Sequence, residues 1–216
     1  MRRQPWDISR EMFLNEAEVE TLLVHLGRVG LADRLIIEAL LFSGLRCSEL
    51  CRLRAADTVL GHKQSAFIVR CRGGEDRTVH VPKHVSRLVR EYWKKRQAEI
   101  DSVLSQNAPL LANERGKPFE RTGLYRRVVA ILTAAGLGDR ASVQLLRHTY
   151  GYLAYLKTGG NLLFVQRQLG HSHPMVTSIY AQFVVESYAK LAEKVAAGKP
   201  ARRAGKPHRI LQGGSR

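Results

Sequence analysis

The sequence predicts a mainly α-helical chain carrying one small antiparallel β-sheet, an α+β fold. Three observations carry that prediction. Apolar residues recur at helical spacing through most of the 216 residues. Residues 57–82 alone switch to the two-residue period of strands, around a Gly-Gly turn. Capping residues, glycines and prolines fall where the periodic runs stop.

Residues 1–12 are polar and basic and read as an arm. Asn15 is placed to cap the first helix, with Glu18 completing a capping box. Val19, Leu22, Leu23 and Leu26 form its inner stripe, and Gly27 and Gly30 end it. The next helix, Ala32 to Phe42, is apolar nearly all round and should be central. Ser43-Gly44 stops it, and Arg46 follows at a turn before a short helix containing Glu49. Strands are expected at 58–60, 66–69 and 78–81, the last two joined by a turn over Arg72–Asp76.

A helix from Lys83 to Ile100 places Val85, Leu88, Val89, Tyr92 and Trp93 inward, with Arg87, Arg90, Lys94, Lys95 and Arg96 on a basic outer face. Residues 102–120 read as loop. A helix from Thr122 to Ala135 is expected to bury Tyr125, Val128, Val129 and Leu132 and expose Arg126 and Arg127. Val143 to Lys157 is helical, Asn161 caps a helix to Leu169, and Pro174 opens a short helix carrying Tyr180. Glu186 to Ala197 reads as a last amphipathic helix, and residues 198–216, with Arg202 and Arg203, as a disordered basic tail. No internal repeat and no second domain is apparent.

Charge narrows the function. Lys and Arg total 35 against 19 Asp and Glu, a formal net charge of +16, with an isoelectric point near 10.3. That excess points to a polyanionic partner, nucleic acid ahead of a membrane surface. Lys94, Lys95, Arg126, Arg127, Arg202 and Arg203 are the candidate DNA contacts. The three cysteines, Cys47, Cys51 and Cys71, form no CxxC pair and read as small buried residues; no metal site and no cofactor is expected. The start lacks an apolar stretch and no run of apolar residues is long enough to span a membrane, so a reducing cytoplasm fits.

The chemistry concentrates in Val143–Phe183, which holds Leu-Arg-His-Thr, then Leu-Gly-His-Ser, then Tyr180. Arginine grips phosphate through a planar fork. Histidine donates a hydrogen bond or moves a proton near neutral pH. Tyrosine can serve as a covalent nucleophile. Arg46 at its turn could meet the same phosphate, with Glu49 orienting it.

In order, "GLRCSEL", a hairpin, "LLRHTYG", "LGHS" and a downstream "IY" resemble the catalytic domain of tyrosine recombinases, the phage-integrase family. The resemblance runs from about Phe13 to Ala197 (13–197), and "SELCRLRAADT" is similar to the small single-domain recombinases of fimbrial switches. It implies a site-specific recombinase or integrase, of the kind mobile genetic elements carry. Such an enzyme acts on double-stranded DNA through a 3′-phosphotyrosyl link, as a tetramer on DNA and a monomer or dimer when free. By the same resemblance Arg46 and Arg147 hold the phosphate, His171 donates to it and Tyr180 attacks it, with Glu49 and His148 in support. Two positions depart from the family pattern. Gln144 stands where a histidine is usual, and Arg72 where the hairpin lysine protonates the leaving oxygen; Lys63 is a candidate substitute for that lysine. A binding protein descended from such enzymes is the alternative, and a DNA-relaxing enzyme of related chemistry a third reading.

Overall fold

The computed structural model describes residues 9–71 and 75–183. Helix α1 (Glu16–Leu26) starts on the expected capping box: Glu18 N donates to Asn15 Oδ1 at 2.9 Å and Asn15 N to Glu18 Oε2 at 2.8 Å. Helix α2 (Leu31–Ser43) is the centre of the core. Leu35, Ile36, Ile37, Ala39, Leu40 and Leu41 are all buried, and it packs on the later helices and on the sheet. Each such fully buried Leu or Ile contributes about 1.5–3 kcal/mol. Its one buried acid, Glu38, receives Arg34 Nε at 2.7 Å. Gly44 ends the helix at φ 66°. A side chain there would strain the backbone, and its Cβ would lie 2.5 Å from Leu169 Cδ2 and 2.6 Å from Tyr150 Cδ1.

Helix α3 (Cys47–Arg52) leads into strands β1 (Thr58–Leu60), β2 (Ser65–Val69) and β3 (Arg77–Val81), an antiparallel sheet in the order β1-β2-β3. Phe67 pairs with Val79, both buried, which fixes the register by the inward face. The hairpin base is braced by Arg70, which meets Asp57 at 3.0 Å and Asp76 at 2.7 Å. Helix α4 (Lys83–Ile100) has the expected bounds and stripe. Its Tyr92 hydroxyl accepts from Ala112 N at 3.1 Å, and Trp93 Nε1 donates to Leu110 O at 3.3 Å. These bonds pin the 102–120 segment, whose Leu110 and Leu111 are buried core rather than loop surface.

Helix α5 (Arg121–Leu132) runs on as a π turn to the break at Gly136, φ 84°, where the sequence placed its end. It corrects one expectation. Tyr125 is 44% exposed, because Leu124, Val128, Ile131 and Leu132 set the buried phase; with apolar residues at both 124 and 125, periodicity alone could not choose. The expectation of three buried cysteines also fails: Cys47 is buried, Cys51 half-buried and Cys71 exposed beside the hairpin turn.

Helices α6 (Val143–Lys157) and α7 (Leu162–Leu169) fall where expected, capped by Ser142 and Asn161. The short α8 (Met175–Ser178) ends before Tyr180, which therefore sits in the turn beyond it rather than on the helix. A second apolar cluster, Phe13, Tyr150, Val165, Leu169, Ile179 and Tyr180, joins α6, α7 and this last segment. Arg72, the helix expected at 186–197 and the tail with Arg202 and Arg203 lie outside the described residues. No helix among the described residues is long and apolar enough to cross a membrane by itself.

Candidate active site

Arg147 joins the pieces. It projects from α6 and is only 4% exposed. Its Nη1 donates to Gly44 O at 2.5 Å, and its Nη2 to Leu169 O at 2.8 Å. Those carbonyls stand just before the Arg46 turn and just before the Gly170-His171 turn. One guanidinium thus brings together two motifs and the helix carrying the third. Burial, with Arg46 nearby, lowers Arg147 to about 10, so it stays charged at neutral pH.

Arg46 caps α3, and its side chain is 48% exposed. Glu49 fixes it twice, accepting from Arg46 N at 2.7 Å and from its Nη1 at 2.9 Å. Burial alone would raise the Glu49 carboxyl. Hydrogen bonds from Arg77 and Arg46, and their charges, outweigh it and hold the group at about 2.

His171 follows Gly170, which turns the chain at φ 66°. Its Nδ1 lies 2.9 Å from Thr177 Oγ1. Burial first, then the arginines 147 and 46, depress its pKa to about 4, so it is neutral at pH 7. A Thr177 hydroxyl donating to Nδ1 would place the ring proton on Nε2.

Tyr180 is 1% exposed. Its hydroxyl lies 3.1 Å from His148 Nδ1, and His148 Nε2 is 3.1 Å from Gln144 Nε2. Burial raises Tyr180 to about 12, with Arg147 opposing only partly, and burial lowers His148 to about 4. The ring lies flush against α6 at Gly151, where an added Cβ would sit 2.6 Å from the hydroxyl oxygen and closer still to the ring. The tyrosine is docked inward, not presented.

The remaining candidates divide. Lys94, Lys95 and Arg126 are exposed. Arg127 is half-buried, pairs with Asp33 and lies 5.9 Å over the Phe119 ring. Arg96 is half-buried too and sits 5.9 Å over the Tyr92 ring. Lys63 occupies the β1–β2 turn, at the opposite end of β2 from Arg77 and the groove. Five strand residues separate them, about 15 Å.

Sequence reading missed three residues of this cluster. Arg77, at the start of β3, chelates Glu49 through Nη1 at 2.7 Å and Nη2 at 2.8 Å. In so basic a chain nothing local marks it out. Gln168, buried on α7, accepts from His80 N at 2.9 Å and donates to His80 O and to the Tyr150 hydroxyl, fastening α7 to β3. Gly151 did carry a signal, since a glycine inside a helix costs about 1 kcal/mol against alanine and calls for a packing reason. An open cleft of about 920 Å³ runs along this face, lined by Arg46, Glu49, Arg77, Arg167 and His171.

Known proteins resemble this chain. The phage integrase family matches residues 12–186. A tyrosine recombinase XerH of Helicobacter pylori is 28% identical over 178 residues, 79% of this chain and 48% of the relative. A tyrosine recombinase XerA of Thermococcus kodakarensis is 32% identical over 186 residues, 84% of this chain and 61% of the relative. The chain therefore spans about half to three fifths of these relatives' length. Among solved structures, XerH bound to its difH substrate in a pre-cleavage complex superposes with a TM-score of 0.71 at 26% identity, covering 87% of this chain and 55% of that one.

Proposed function

This chain belongs to the phage integrase family, and we propose that it breaks and rejoins double-stranded DNA at specific sites through a 3′-phosphotyrosyl intermediate. The carrying observation is the convergence of Arg46, Arg147, His171 and Tyr180, from four separate stretches, within one cluster of hydrogen bonds and mutual charge.

In the proposed reaction the Tyr180 oxygen attacks the scissile phosphorus, a P–O bond forms, and the 5′-oxygen leaves. Negative charge spreads over the non-bridging oxygens, where preorganised donors are typically the largest catalytic contribution. Arg46 offers the half-exposed side of its fork, and Arg147 the N–H groups it does not spend on carbonyls. Neutral His171 donates from Nε2.

Proton handling follows from Gln144 and His148. Gln144 cannot carry a proton, but its amide selects the His148 tautomer. Donating to His148 Nε2, it leaves the ring proton on Nδ1, facing the Tyr180 oxygen. Turned over, its carbonyl accepts from Nε2–H, and Nδ1 is free to take the phenolic proton. Arg72 lies in the sequence between β2 and β3, next to Cys71, which lines the cleft with Glu75. An arginine stabilises charge but holds its proton too tightly to release it readily, so protonation of the 5′-oxygen is the weak step. Tyr180 must also leave its seat on Gly151 before it can attack.

Exposed Lys94, Lys95 and Arg126 are proposed to meet the DNA backbone, with Arg202 and Arg203 adding to it. The working form is a tetramer on DNA, in the cytoplasm at the nucleoid. The test is a nicked duplex that loses a short strand on cleavage and so traps the covalent complex. Wild type should give a detergent-stable adduct at Tyr180, and Tyr180→Phe none with its affinity nearly unchanged. Tight, specific binding without any adduct would make the chain a binding protein instead.

A further inference from the structure

We propose that Arg77 is a positioning residue for the phosphate grip, holding the Arg46 guanidinium through Glu49 and bracing the turn that carries His171. The proposal rests on the reading of Arg46 and His171 given above.

Arg77 and Glu49 form the best-formed ion pair of the site. Both guanidinium Nη atoms meet both carboxylate oxygens, and the side chains are 15% and 13% exposed. The same carboxylate then receives Arg46, so one carboxylate joins a half-exposed arginine to a largely buried one. Such a relay restricts a long, flexible side chain before substrate arrives, which saves ordering entropy at binding. On its other side Arg77 Nε donates to Gln168 O at 3.4 Å. A Cβ at Gly170 would lie 2.8 Å from Arg77 Nε and 2.9 Å from its Cδ, so the turn before His171 wraps directly over this arginine. Arg77 pairs with Val69 at the hairpin end of the sheet. One side chain therefore couples the hairpin strand, the Arg46 turn and the His171 turn.

Arg77 donates its bonds inward to protein oxygens, and its replacement should act through its neighbours. Arg77→Gln is expected to slow single-turnover cleavage of the nicked duplex about tenfold to a hundredfold, the span of coupling within one hydrogen-bonded network. Duplex affinity and melting temperature should stay near wild type. In a Glu49→Gln background the same change should cost less than about threefold, because the relay is already cut. The pH profile adds a second reading. Glu49 faces Arg46 on its own turn, Arg77 from β3 and Arg147 from α6, with Glu75, Asp76 and Arg167 along the same cleft. Losing Arg77 lets the Glu49 carboxyl return toward about pH 4.3. Arg77→Gln should then lose rate as pH falls through that range, and the double variant should lack this limb. Arg77→Lys, which keeps the charge without the fork, should keep the wild-type melting temperature and recover rate in part. Nitrogen-15 spectra of the arginine side chains test the relay without cleavage: the Arg46 resonance should shift and sharpen toward a freely rotating one in Arg77→Gln, even if no substrate is ever cut. Equal rate costs with and without Glu49, or an unchanged Arg46 resonance, would overturn the proposal. Should Arg77→Gln fail to fold, the same two readouts on Arg77→Lys decide.

Discussion

Arg147 and Tyr180 are both almost inaccessible, at 4% and 1% exposure, yet burial does opposite things to them. Arg147 is buried with two backbone carbonyls fixed on it and remains charged. Its desolvation and ordering are complete before DNA arrives. Tyr180 is buried with one partner, its hydroxyl aimed at His148 and its pKa raised to about 12. In the proposed reaction that burial withholds the nucleophile. The difference teaches that accessibility and readiness are separate properties. On the proposed function, the cationic grip is finished before DNA binds, whereas the tyrosine would need a rearrangement that binding drives.

Replacing the arginines separates grip from scaffold and should have the largest effects. Arg46→Ala and Arg147→Ala should each slow cleavage about 10²–10³-fold, the usual cost of one charge-stabilising donor. Only Arg147→Ala should also lower the melting temperature markedly, since it orphans two backbone carbonyls in the core at about 1–3 kcal/mol each. Equal stability losses at both positions would erase the distinction between a fixed and an exposed half of the grip.

Gly151→Ala attacks the other half. The new Cβ collides with the docked Tyr180 ring, so the ring should be displaced and the tyrosine should react with a small iodinating reagent in the absence of DNA. The variant should lose about 1–3 kcal/mol of stability, the range for overpacking. Unchanged protection would place the ring elsewhere.

Acid should weaken the cluster in a defined window. His148 and His171 sit at about 4 when folded against 6.5 otherwise. Their folded pKa values are depressed, so the stability linked to their neutral forms is fully present above pH 6.5 and is lost as pH falls toward 4. Thermal melts across that range should show the loss, and the His148→Asn, His171→Asn pair should flatten it.

The smallest effect concerns the hairpin. Arg72→Lys should speed cleavage by no more than about tenfold to a hundredfold, the low end of what positioned proton transfer supplies. A 5′-bridging sulfur, a better leaving group, should give a comparable gain that does not add to the lysine's. Additive gains would mean that the two act on different steps.

Much of this was legible in the sequence, and the boundary between what was and was not is physical. Asn15, Gly44 and Asn161 act locally, through capping or a forbidden side chain, so the elements they bound could be read from neighbours in the chain. The four cleavage candidates sat in recognisable short motifs. Arg77, Arg127 and Tyr180's docking could not be read that way. Arg77 finds its partner in Glu49, and Arg127 in Asp33, across long stretches of chain. Tyr125 failed for a related reason: adjacent apolar residues leave a helix two phases, and only the packing of Leu124 chooses between them.

The most direct test places carbon-13 at the tyrosine Cζ positions and assigns the Tyr180 signal by Tyr180→Phe, because that shift follows both burial and ionisation of the phenol. In the free protein the signal should be that of a buried ring and should not titrate until pH approaches 12. On adding nicked duplex it should move to an exposed, then covalently altered, position. A Tyr180 signal that is solvent-exposed in the free protein and titrates near 10 would contradict the account, because the nucleophile would then be as ready as the grip.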